Sequence, residues 1–154
     1  MNLSAAETVI KKHSAKVSIP DRFVFERKTV SDEGDLSGVL RDKRTDTTIQ
    51  YEIDHSWGFK GLHPSKLDWS KVVYFERSPD GWYDQQFFVF DKDQELQVEA
   101  RYGFQGCVFT VKIPKNGDYR KCIEVLRLIK VALNDGWILT RGESFDEFTV
   151  KPLK

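Results

Sequence analysis

Thr47-Thr48-Ile49-Gln50-Tyr51-Glu52-Ile53-Asp54-His55 sends Ile49, Tyr51, Ile53 and His55 to one side of an extended chain and Gln50, Glu52 and Asp54 to the other. A strict period of two marks a strand with one dry face and one wet face. Working toward the N-terminus, Phe23, Phe25 and the segment to Val30 read as a strand. Ser31-Asp32-Glu33-Gly34-Asp35 reads as a turn, and Leu36 to Arg41 as the returning partner. Working toward the C-terminus, residues 72–77 and 82–91 flank Ser78-Pro79-Asp80-Gly81, whose proline and Asp-Gly suit a tight hairpin turn. Leu96, Val98, Ala100 and Tyr102 then alternate with Gln97, Glu99 and Arg101, and Gly103-Phe104-Gln105-Gly106 turns the chain into residues 107–113. Consecutive alternating runs with no helix between them predict antiparallel pairing. Residues 137–140 and 145–150, joined by Arg141-Gly142-Glu143-Ser144, predict a last hairpin.

Two segments carry helical spacing. Ser4-Ala5-Ala6-Glu7 fits a capping box, and Leu3, Ala6, Val9, Ile10 and His13 follow as an apolar stripe, which predicts a short helix over residues 5–15. Asp118, placed after Pro114 and Asn116-Gly117, starts a longer predicted helix that runs to about Asn134, with Gly136 suited to the left-handed cap. Its apolar residues, from Cys122 to Leu133, cover more than one stripe, so this helix is expected to touch other elements on two sides. The expected fold class is therefore α+β: an antiparallel, curved sheet of about 7–8 strands with a short N-terminal helix and a longer C-terminal helix packed on it.

A chain of 154 residues fits a single domain, residues 1–154, whose core needs neither disulfides nor a structural metal. Eleven Phe, five Tyr and four Trp against one Met predict a stiff, aromatic core. The 24 Lys+Arg balance the 24 Asp+Glu, which disfavours nucleic acid as a partner because its affinity comes mainly from neutralised phosphates. The local cluster Lys11, Lys12 and Lys16, followed by Arg22, Arg27 and Lys28, reads as a solvated face. Cys107 and Cys122 are too few for a disulfide framework and read as small core residues. With neither a signal-like N-terminus nor a spanning apolar run, the expectation is a cytoplasmic protein that does not enter a membrane.

The least patterned segment is residues 56–70, and long irregular connections often carry function. It holds Trp57, Phe59, His63 and Trp69, large side chains that either make a recognition loop or anchor the loop on the sheet. Chemistry finds little support. His55 and His63 with Asp54 and Asp68 are metal-type ligands, but no zinc pattern such as H-E-x-x-H or paired C-x-x-C is present, so no metal is expected. Ser56 beside His55 makes no nucleophile and base, because neighbouring strand side chains diverge. Glu52, Asp54, Glu76, Asp84, Glu95 and Glu99 read as polar-face charges. Gly58-Phe59-Lys60-Gly61 matches no phosphate-cradling motif, so no cofactor is expected.

Trp82, Tyr83, Phe87, Phe88 and Phe90 put aromatics on both faces of one strand, which is then either covered twice or waiting for a partner. These features predict a non-enzymatic protein that binds another protein, as an immunity protein or inhibitor does, through Trp57, Phe59, His63, Trp69 and Trp82. The alternative is a small-ligand binder or enzyme with a pocket between the sheet and the long helix near His55 and His63.

Overall fold

The computed structural model describes residues 7–12, 15–53, 68–77, 85–102, 107–141 and 148–152. The helix expected over residues 5–15 is overturned, because the described part of that segment is a pair of strands. β1 (Glu7–Lys12) pairs antiparallel with β2 (Ala15–Pro20). Ala15, Val17 and Ile19 are buried while Lys16, Ser18 and Pro20 are half-buried, a period of two. Thr8, Val9, Ile10, Val17 and Ile19 are β-branched, and so short a helix would be marginal in water without a tertiary surface favouring it.

β3 (Phe23–Val30), β4 (Leu36–Asp42) and β5 (Thr48–Ile53) form one antiparallel meander. β6 (Val72–Arg77), β7 (Gln85–Asp91), β8 (Glu95–Tyr102) and β9 (Cys107–Pro114) form a second. β9 returns beside β5, so the two meanders fuse into a seven-stranded sheet of order β3-β4-β5-β9-β8-β7-β6. β5 thus lies inside this sheet and β6 at its edge.

The long C-terminal helix is also overturned. α1 starts as the sequence indicates, with the Asp118 carboxylate accepting from the amides of Arg120 and Lys121, but it spans only Tyr119–Leu126. The chain then turns into β10 (Lys130–Leu133), which pairs antiparallel with β2 and completes a three-stranded sheet of order β1-β2-β10. The Ile129 carbonyl, which a continuing helix would satisfy internally, instead accepts from the Tyr102 hydroxyl at 2.9 Å. Gly136 does adopt positive φ, at 87°, but in the turn before β11 (Trp137–Arg141), which pairs with β12 (Phe148–Pro152). The described chain is thus mostly β, with one α-helix rather than two, and the α+β class does not hold.

One core joins these layers. Leu40, Ile49, Ile53, Phe87, Val89, Val98 and Phe109 from the large sheet pack with Val17 and Ile19, with Ile123, Val125 and Leu126 of α1, and with Ile129 and Val131 beyond it. The three-stranded sheet thus takes up the apolar surface that a second helix was expected to shield.

Candidate functional site

β6 is an outer strand of the large sheet, and its entry is fixed locally. Asp68 Oδ1 accepts from the Ser70 amide at 3.1 Å and the Ser70 hydroxyl at 2.6 Å, capping a 3-10 turn over Trp69–Lys71. These bonds hold the Asp68 carboxyl below the usual carboxylate range. The turn presents Trp69 edge-on to Phe75, with ring centroids 5.6 Å apart. The strand register slips between Val72 and Tyr74, and the intervening Val73 is left 48% exposed beside Trp69 at 45%. Among the described residues only Val9 and Val30 join these two as exposed large hydrophobics, so the β6 margin holds two of the four.

The two faces next to β6 differ. Opposite the main core, Phe75 lies 5.1 Å from Phe88, and Phe88 stacks on Phe90 at 5.4 Å. Arg101 sits over both Phe88 and Phe90, held by Glu99 at 2.6 Å, and Lys92 sits over Phe90. Phe88 is fully buried here while Phe87 is fully buried on the core side, so this stretch of β7 is covered twice. Among the described residues of the aromatic run, Phe87 and Phe88 therefore leave no apolar surface open.

On the core side, the Arg120 guanidinium stacks over Tyr74 and Tyr119, at 5.1 and 5.4 Å from their centroids, and the two rings themselves lie 5.4 Å apart. Tyr74 donates to Glu76 at 2.7 Å, and Glu76 is also ion-paired with Arg127, which lies over Phe87. Tyr74, Glu76, Arg120, Ile123, Glu124 and Arg127 line a cavity of about 190 Å³ between β6 and α1. No described carboxylate lies within ion-pair distance of Arg120. A larger cleft of about 450 Å³ lies on the other flank of α1, lined by Arg22, Thr45, Lys121, Glu124, Val125 and Leu128.

Of the residues singled out from the sequence, Trp69 lies at this margin. Trp57, Phe59, His63 and Trp82 lie outside the described residues, as do His13, Asp54, His55, Ser56 and Asp84. Glu76 and Glu99 are ion-paired, which accounts for them structurally. Both cysteines are buried, and burial together with the charge of Asp118 pushes the Cys122 thiol up, away from the reactive thiolate. No group of three or more metal-type ligands occurs among the described residues, and no described helix is long and apolar enough to cross a membrane.

Sequence reasoning missed the Arg120 stack and the edge position of β6. The Val-Val-Tyr-Phe run was legible as a strand, but its place at the edge depends on β9 pairing with β5. No protein-family model, curated protein or solved structure matches the chain.

Proposed function

We propose that this is a non-enzymatic protein-binding protein that acts by occupying another protein, as an inhibitor or immunity protein does, and that it docks through the β6 margin. The observation that carries the reading is the pairing of exposed Trp69, in the turn that enters an outer strand, with exposed Val73 on that strand, whose Tyr74 and Phe75 are half-buried. Edge strands offer unpaired main-chain groups, and a tryptophan backed by a second ring supplies contact area at small entropic cost. Trp57, Phe59, His63 and Trp82 remain binding candidates from the sequence and lie outside the described residues.

The test is recovery of a stoichiometric complex from extract on immobilised protein, followed by titration with Trp69→Ala. Truncation of such an anchor is expected to weaken binding by about 2 kcal/mol, roughly thirtyfold in Kd. Unchanged affinity would remove Trp69 from the interface.

A second reading is favoured by the cleft of about 450 Å³ between α1 and the strand ends. Its volume falls within the range of small-ligand sites, and its lining combines apolar Val125 and Leu128 with the charged Lys121, Glu124 and Arg22. A small ligand held there would raise the melting temperature of the wild-type chain and not that of Leu128→Trp, which fills the cleft.

A further inference from the structure

We infer that the β6 margin is self-complementary: β6 pairs antiparallel with β6 of a second copy of this chain, about a twofold axis at Phe75. Arg120 of each copy then reaches the partner's Glu76. The inference rests on the reading of this margin as a protein-docking surface and names its occupant.

The two edges of the large sheet are furnished differently. Each carries a register irregularity, β3 between Phe25 and Arg27 and β6 between Val72 and Tyr74, but β3 also exposes Glu26, Arg27 and Lys28, charges that resist pairing with another strand. β6 carries Val72, Val73, Tyr74 and Phe75, and among the described residues β7 is its only strand partner. Pairing of β6 with β6 uses the same edge in both copies, so this contact closes a dimer instead of propagating.

Electrostatics selects the register. For the faces of the two sheets to run on continuously, the axis must pass through a residue of the regular run 74–77. An axis at Tyr74 brings the two Arg120 guanidiniums together, since each lies over its own Tyr74 ring. An axis at Glu76 opposes two carboxylates, and one at Arg77 opposes two guanidiniums. At Phe75 the two Phe75 rings meet, each backed by its own Trp69, and Tyr74 stands opposite the partner's Glu76. That register brings a carboxylate to Arg120, which has none within reach among the described residues, and it does so twice by symmetry.

Sedimentation equilibrium over a concentration series tests this on the full chain. A reversible rise from monomer to dimer mass is expected. Glu76→Arg and Arg120→Glu, each alone, oppose like charges at both contacts and should weaken dimerisation by roughly tenfold or more. An equimolar mixture of the two variants restores complementary pairs at both contacts and should recover the dimer. If Glu76→Arg does not fold by circular dichroism, Glu76→Gln and Arg120→Gln take its place, each expected to weaken the dimer. A wild-type chain that stays monomeric at its highest soluble concentration, or a dimer insensitive to these changes, overturns the inference. Should the chain be monomeric while Trp69→Ala still abolishes capture of a different protein, the docking reading survives without self-pairing. A monomer whose captures ignore Trp69→Ala defeats both.

Discussion

Asp42 has no exposed side-chain surface, yet three donors converge on it. Arg22 reaches it through Nε and Nη2 at 2.7 Å each, the Thr45 hydroxyl lies at 2.5 Å, and the Arg44 amide at 3.3 Å. Burial pushes this carboxyl up, but the hydrogen bonds from Arg22, Thr45 and Arg44, with the Arg22 charge, outweigh it and hold the group at about 2. Since the folded value lies below the ordinary one, the stability it contributes is complete above about pH 4. It is lost as pH falls through about 2, and amounts to roughly 2 kcal/mol. Arg22→Ala strands the buried carboxylate and is expected to cost about 3 kcal/mol near neutrality, with the gap from wild type narrowing as pH drops from 4 to 2. Urea midpoints across that range check it, and a gap independent of pH would show that Asp42 is not the titrating group. In the sequence Arg22 and Asp42 look like unrelated charges. The strand pairing of Phe23 with Asp42 brings them together, and no local pattern encodes that.

Gly38 shows how an element is built around one residue. It sits in β4 opposite Lys28 and Tyr51, where a Cβ would fall 2.0 Å from the Arg27 carbonyl oxygen and 2.8 Å from the Tyr51 hydroxyl. The first neighbour is backbone and cannot swing aside, so Gly38→Ala is expected to destabilise the fold by about 3 kcal/mol, measured by chemical denaturation. A loss under roughly 0.5 kcal/mol would mean that the β3 bulge relaxes freely. At this scale the strands were the readable part. The alternation in β4, β5 and β9 matches which of their side chains are buried, because a strand half-buried in a sheet must segregate its residues, whereas in β8 Glu99 of the polar face is buried too. The helices were less readable. Residues 5–15 carried a capping pattern that the described strands override, and the apolar coverage beyond Leu126 signalled a strand in a second sheet rather than a two-sided helix.

Across the whole molecule, two buried tyrosines separate a group that ties layers together from one that does not. The Tyr102 hydroxyl donates to the Ile129 carbonyl and accepts from the Gln85 amide at 2.5 Å, linking β7 and β8 to the junction between α1 and β10. Tyr51 is equally buried between Phe25 and Phe109, but its hydroxyl has no hydrogen-bond partner. Tyr102→Phe should therefore cost about 1–3 kcal/mol, whereas Tyr51→Phe should be neutral or slightly stabilising, and thermal denaturation of the two variants would compare them. Equal losses would refute the distinction. The sequence by itself determined that this protein is rich in antiparallel strands, that a turn separates β3 from β4, and that Asp118 caps the start of α1, because these are written in local alternation, turn residues and a capping side chain. Tertiary structure alone decided that β9 joins the two meanders, that β2 recruits β10, and that Trp69 stands at an edge. Those outcomes depend on which strand finds which partner, and pairing between distant segments is settled by burial of the shared core rather than by the residues of either segment.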